Sequence, residues 1–166
     1  MQKASSSYLH FARVCKIDSD IAVATNGGYP LDQNVYQAVK GMSSAEATNK
    51  EGGVIIMVAG LADGHGGLGF YNNLAQTQSP KEFLDRVAHT DRSHTIPDQW
   101  ESQILARILY HHHVIMVSDL VQPEIVTNMH MELATNFDEA LQRAYAIEGK
   151  VAKVVVIPDG LAVIVN

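Results

Sequence analysis

Apolar residues along the chain gather into short runs rich in β-branched side chains, at Ile21–Thr25, Val54–Ala59, Val114–Val117, Val151–Ile157 and Leu161–Val165. Runs this short, bounded by glycine, proline and polar clusters, predict strands. The segments between the first four carry helical periodicity or glycine-rich turns, the pattern of a mostly parallel sheet with helices packed on it. Helices are predicted at about Gln33–Ala45, Pro80–Val87, Asp98–His111 and Phe137–Ile147, and Asn136 followed by Glu139 makes a capping-box-like start for the last of them. Pro158-Asp159-Gly160 between the last two runs reads as a hairpin turn. The expected fold is therefore a three-layer α/β domain with a mostly parallel sheet, helices on both faces and an antiparallel edge strand. A single domain is expected over 1–166, since no internal repeat, low-complexity tract or linker divides it. Lys3–Ser7 is polar and patternless, and Tyr8–Ile17 is amphipathic without a clear partner, as a strand or helix that follows other chain would be.

Composition narrows the functional classes. A chain of 166 residues buries about two-thirds of its unfolded surface. Hydrophobic residues make up 46% and charged residues only 18%, below the roughly 25% usual for soluble domains. That predicts an apolar or neutral patch that awaits a partner. The formal charge of −6, without any basic cluster, argues against nucleic acid and anionic membranes as partners. Cys15 is the single cysteine, so no internal disulfide forms and a reducing cytoplasm is expected; between Val14 and Lys16 it is read as a buried, inert thiol. No run approaches the length of a membrane span, and the opening residues lack the apolar core of a signal peptide, so a cytosolic location is expected.

The densest candidate chemistry follows the first predicted strand, in Asn26-Gly27-Gly28-Tyr29-Pro30-Leu31-Asp32-Gln33-Asn34-Val35-Tyr36-Gln37-Ala38-Val39-Lys40. Two glycines allow a sharp turn, Asp32 is placed to cap the helix, and in open α/β sheets ligands sit beyond the strand ends where helix N-termini present free N–H groups. At 100° per residue, Val35, Ala38, Val39 and Met42 share one face, while Gln33, Tyr36, Gln37 and Lys40 share the other. Lys40 supplies a charge, and Gln37, one turn earlier, a neutral donor and acceptor, a pair suited to a carboxylate and a hydroxyl or carbonyl. An ordinary exposed polar helix face explains the same residues.

The run from Gly27 to Lys40 resembles the G-G-x-P-x-D-x-N-x-Y-Q-x-x-K segment of nickel-pincer lactate racemases, and the likeness continues to Asn166. It covers only the C-terminal portion of that family's two-domain enzymes. The resemblance implies a site between two domains, where Gln37 and Lys40 contact a small 2-hydroxy acid and Tyr36 shapes its pocket. Ile96-Pro97-Asp98-Gln99-Trp100-Glu101-Ser102-Gln103 is similar to the family's tryptophan segment, which implies that Trp100 faces the cofactor; the alternative for this single tryptophan is a core residue at a helix start. The implied cofactor is a nickel-pincer nucleotide, tethered to a lysine and completed by a histidine ligand. A histidine pair takes the hydroxyl proton as hydride leaves C2 of lactate, and return of hydride to the opposite face of the bound pyruvate inverts the centre. Those groups belong to the family's N-terminal domain, and no segment here matches them. The chain is thus expected to orient substrate, to bind no nickel-pincer cofactor alone, to be inactive alone, and to pair with that N-terminal domain or with itself.

Other signals are weaker. Consecutive residues of His111-His112-His113 point about 100° apart on a helix and do not converge on one ion, and His65, His89, His94 and His130 lack a one-turn ligand pair. The loop Ala62-Asp63-Gly64-His65-Gly66-Gly67-Leu68-Gly69-Phe70 lacks the Gly-Lys-Ser/Thr of a phosphate-binding loop and the spacing of a dinucleotide fingerprint, and reads as a tight loop near the cleft. Two rival readings use the same residues: a freestanding binding module for a small carboxylate or phosphate, and a non-functional truncated fragment.

Overall fold

The computed structural model describes residues 12–166; Lys3–Ser7 and the first part of the amphipathic Tyr8–Ile17 segment lie outside them. The elements in chain order are β1 (Arg13–Val14), β2 (Ser19–Thr25), α1 (Val35–Thr48), β3 (Asn49–Val58), α2 (Leu68–Ala75), α3 (Pro80–Ala88), a 3-10 turn at Arg92–His94, α4 (Gln99–His111), β4 (His113–Val117), α5 (Pro123–Asn128), β5 (Glu132–Ala134), α6 (Phe137–Glu148), β6 (Val154–Ile157) and β7 (Ile164–Val165). Strands β5-β4-β3-β2-β6 form one sheet in that order, and every pairing in it is parallel.

Period-two alternation sorts the core onto the two sheet faces. Ala22, Ala24, Ile55, Met57, Val114 and Met116 point to one face and are buried against Val35, Ala38, Val39 and Met42 of α1, together with apolar residues of α2, α3, α4 and α5. Ile21, Val23, Val54, Ile56, Ile115 and Val117 point to the other, where Ala140 and Ala144 of α6 cover them. Right-handed crossovers explain the uneven cover. The steps β2→β3→β4→β5 all move one way across the sheet and keep their helices on one face. The return from β5 to β6 runs the opposite way, so α6 lies on the other face. Order reverses between β2 and β6, which makes the ends of these two strands the switch point where α/β folds hold ligands.

The expected antiparallel edge strand is not there. β6 is a parallel edge, and β7 pairs in parallel with β1 in a separate two-stranded sheet. Pro158-Asp159-Gly160 does turn the chain, but its hydrogen bonds lead it away from β6. Gly160 N donates to Thr25 O at 2.8 Å, Ser44 Oγ of α1 donates to Gly160 O at 2.6 Å, and Asp159 Oδ1 accepts from the amides of Leu161 and Ala162, both at 3.2 Å. Among the described residues the antiparallel contact is an isolated bridge between Asn26 and Asp159. Tertiary stitching to β2 and α1 thus overrides a local hairpin signal. Cys15 is also corrected: it is exposed, on the lining of an apolar groove of about 180 Å³ between β6 and the β1–β7 pair. The sheet edge is too far from the core to bury it.

Helices α2 and α5 and strand β5 were not anticipated, because each is too short for its periodicity to stand out. The start of α6 is capped as expected, with Asn136 Oδ1 accepting from Glu139 N at 2.9 Å. The reciprocal bond differs by one residue, since Glu139 Oε2 accepts from Thr135 N at 2.9 Å. Among the described residues no helix is long and apolar enough to cross a membrane.

The crossing of Gly160 over α1 leaves no room for a side chain. A Cβ there would stand 2.8 Å from Gly41 Cα and 3.2 Å from the carbonyl oxygens of Gly41 and Thr25. These are backbone atoms that cannot step aside cheaply. Gly160→Ala is expected to cost about 1–3 kcal/mol of stability, the usual range for overpacking, read as a lower midpoint in urea unfolding with an unchanged slope.

Candidate functional site

The site is built on the connection between β2 and α1. Asn26, fully buried at the end of β2, donates through Nδ2 to the carbonyls of Leu31 and Gln37, each at 2.7 Å, and so ties the intervening turn to the first turn of the helix. The expected cap moves by two residues. Asn34, not Asp32, caps α1, with Oδ1 accepting from Gln37 N at 2.9 Å. Asp32 instead accepts from Gly60 N at 3.0 Å and fastens the turn to the end of β3.

The free N–H groups expected at the helix start are already used. Val35 N donates to Gly64 O at 3.0 Å and Tyr36 N to His65 O at 3.3 Å. Positive φ at Gly64 and Gly66, +59° and +81°, folds the glycine-rich loop so that its carbonyls cap α1. A Cβ at Gly66 would lie 2.4 Å from Asn34 Cγ, so the close approach requires glycine. The helix dipole alone offers no docking point here, and any anion at this site depends on side-chain charge.

That charge is Lys40. Its Nζ donates to Gln37 Oε1 at 2.6 Å, and both side chains are only partly buried. The expected pairing of these two residues on the outer face of α1 is therefore present in the structure. Tyr36 joins them. Its ring lies edge-on to Phe70 at 5.2 Å and to Trp100 at 6.1 Å. Burial raises the Tyr36 hydroxyl above its usual pKa, and the acids Glu101 and Asp98 push the same way, so it stays a neutral phenol. Trp100, in the first turn of α4, is 56% exposed. It is not a core residue, and its indole stands at the mouth of the site.

Sequence reasoning missed Glu101. It is 1% exposed, and its Oε1 has no hydrogen-bond partner. Burial pushes its carboxyl up to about 7, with Lys40 opposing the rise and Asp98 adding to it. The signal was legible: Glu101, Leu105 and Ile108 recur at helical spacing on the buried face of α4. A carboxylate in such a stripe needs an explanation, because buried acids are normally paired.

The histidines stand apart. His65 stacks on Tyr71 at 5.1 Å and accepts from Gly67 N at 3.0 Å through Nδ1, which holds the loop rather than reaching Lys40. His111 ends α4 and pairs with Glu51 at 2.6 Å, His112 is buried with its pKa lowered chiefly by that burial, and His113 opens β4. They line a cavity of about 330 Å³ with His130 and Glu132, at the amino end of β4 and so at the opposite end of the sheet from Lys40. Among the described residues no group of three His, Cys, Asp or Glu side chains is placed to hold a metal ion.

These residues sit on a parallel α/β domain, with one cation and one amide on the outer face of α1 and an exposed indole at the start of α4. Comparison with known proteins narrows this. Residues 14–165 match the model of the lactate racemase C-terminal domain, and the chain belongs to that family. It is 72% identical over 150 residues to a lactate racemase of Lactiplantibacillus plantarum, covering 90% of this chain and 35% of that protein. It is 51% identical over 148 residues to a lactate racemase of Thermoanaerobacterium thermosaccharolyticum, covering 89% and 35%. A solved structure of the lactate racemase apoprotein from the latter organism matches with a TM-score of 0.96 at 47% identity, over 99% of this chain and 40% of that one. The chain spans about a third of the length of the curated relatives it matches.

The buried Glu101 generates a pH prediction. Its folded-state pKa of about 7 stands above the ordinary value of 4.5, so between these values the folded chain keeps a proton that the unfolded chain has released. Stability is therefore highest below that window, falls as pH rises through it, and levels off above about 7. The expected loss is on the order of 2–3 kcal/mol. Urea unfolding between pH 4.5 and 8 should show this fall in the wild type, and a much flatter profile in Glu101→Gln.

Proposed function

We propose that this chain is the substrate-orienting C-terminal half of a nickel-pincer lactate racemase, and that it is inactive without the N-terminal half. The observation that carries this reading is the Lys40–Gln37 contact of 2.6 Å on the outer face of α1, within a chain of the lactate racemase C-terminal domain family. In this reading the Lys40 ammonium takes the lactate carboxylate. Gln37 accepts from Lys40 through Oε1, which leaves its amide N–H groups free to donate to the substrate oxygen at C2. Tyr36, kept neutral and braced by Phe70, forms a wall that adds no competing charge.

The residues present fit a flat cofactor at one point. Trp100 offers a ring more than half exposed, held edge-on by Tyr36, and would pack against the nickel-pincer nucleotide in the complete enzyme. When bound, that group accepts and returns hydride at C2 of lactate. The tether, the metal ligand and the proton-transfer pair are assigned to the N-terminal domain, which is also the proposed partner of this chain. A cytoplasmic location is supported by the lone, exposed Cys15, which suits a reducing compartment.

Lys40→Met tests the clamp in a complete, cofactor-loaded enzyme carrying this domain. Methionine keeps the stem and the helix propensity while removing the charge. Loss of a charge-assisted contact of about 2–4 kcal/mol should lower kcat/KM for lactate roughly thirty- to a thousandfold, with a nearly unchanged thermal midpoint. Gln37→Ala should have a smaller effect, since its contact is neutral. Near-wild-type turnover by Lys40→Met at subsaturating lactate would remove the clamp from this helix.

A further inference from the structure

The cavity of about 330 Å³ at the amino end of β4 has no part in the reading above. It lies between the end of α4, the start of β4 and the turn from α5 into β5. Its histidines are held by the fold. His111 Nδ1 donates to Glu51 Oε1 at 2.6 Å and His130 Nε2 donates to Leu74 O at 3.2 Å, since a carboxylate and a carbonyl only accept. In each of these rings, when neutral, the other nitrogen is a lone pair. His112, buried in the wall, leaves Nδ1 without a hydrogen-bond partner. Its burial lowers its pKa and so keeps the ring neutral. A buried polar atom left unmet costs about 1–3 kcal/mol, so this one asks for a partner. Glu132 adds a carboxylate that is only loosely tied, because Arg143, 3.5 Å away, is bonded more closely to Glu139 and to Leu133 O. Tyr110, 52% exposed and edge-on to His111 at 4.9 Å, gives the cavity an aromatic wall.

We infer that this cavity is a second binding site, for a small organic cation that carries N–H donors, such as an aliphatic amine or guanidine. The lining sets the sign of the ligand's charge. His111, His130 and Glu132 offer acceptors, and Glu51 places a further negative charge behind His111. An anion would meet acceptors on each side. The nearby cations are committed elsewhere, Lys81 to Asp85, Arg143 to Glu139, and Lys50 to Asp20 and Glu148. Among the described residues no three His, Cys, Asp or Glu side chains converge closely enough to hold a metal ion. The acceptors are instead spread around a space suited to a molecule, at the lower end of the range of about 300–1,000 Å³ usual for ligand pockets. The exposed Tyr110 ring attracts a cation at the mouth. His130 is held at φ +65°, a strained conformation for a residue other than glycine, and a ligand-binding role would explain why the strain is kept. The site is at the far end of the sheet from Lys40 and is independent of the substrate reading of that residue.

The test uses the isotope-labelled chain and agmatine, which carries both an ammonium and a guanidinium. Agmatine should shift the amide signals of Gly52, His113 and Glu132 saturably, with a dissociation constant of about 1 mM or below, and leave those of Gln37 and Lys40 in place. Butanol, which is neutral, and succinate, which is anionic, should leave the same signals unmoved over the same range. Glu132→Gln removes an exposed carboxylate without disturbing the core, and should weaken agmatine roughly tenfold. Tyr110→Leu, also at the surface, should weaken it about threefold. Asp138→Asn removes the same charge from an exposed position at the other end of the sheet, and should change the affinity by less than about twofold. An absence of saturation below about 10 mM agmatine would overturn the inference. So would equal shifts with succinate, shifts scattered over the acidic surface, or an affinity that Glu132→Gln and Asp138→Asn lower alike.

Discussion

Everything at the site depends on how closely the backbone of α1 is gripped at Gly41. On one side stands the buried Asn26, whose Oδ1 would lie 2.2 Å from a Cβ at this position; on the other, Gly160 passes over with no room for a side chain. Glycine inside a helix costs about 1 kcal/mol relative to alanine, and here the cost is accepted because no other residue lets these three segments meet. The grip fixes the axial position of α1 against β2 and the C-terminal crossing. Lys40 is the residue before Gly41, and Gln37 is one turn earlier with its carbonyl bonded to Asn26. The Lys40–Gln37 pair thus inherits its placement from a backbone contact on the opposite side of the helix.

Electrostatics at the site are spare. The helix amides that often receive anions in α/β folds are consumed by Gly64 and His65, and the chain as a whole carries −6. In the proposed reading a single ammonium therefore has to recognise an acidic ligand within an acidic protein. That makes the orientation of Lys40 matter more than its mere presence, because a long flexible stem loses much of its charge to water unless it is held. Gln37 holds it by a direct bond.

The unequal covering of the sheet has a related meaning. Five helices lie on one face and α6 alone on the other, so β6 keeps an open edge and Val156 is 59% exposed. This is where the low charged fraction of the sequence becomes visible in three dimensions. A chain that spans about a third of its relatives' length has apolar surface to offer to other chain, which agrees with a proposed active site shared between two domains.

Local pattern was enough for the parallel core. The strands beginning near Ile21, Val54, Val114 and Val154 and the buried stripe of α1 all follow from periodicity, since apolar burial at two or 3.6 residues per repeat leaves a direct trace in residue order. The Lys40–Gln37 pair was legible for the same reason: residues three apart on a helix must be neighbours. What residue order could not settle was everything decided between distant segments. Pro158-Asp159-Gly160 has the composition of a hairpin, yet hydrogen bonds to Thr25 and Ser44 carry the chain past α1 to pair with Arg13 and Val14. Asp32 and Asn34 are both good caps, and contact with Gly60 on one and Gln37 on the other divided the roles. Glu101 is buried because α4 packs beside α1, a juxtaposition of distant segments that no local propensity encodes.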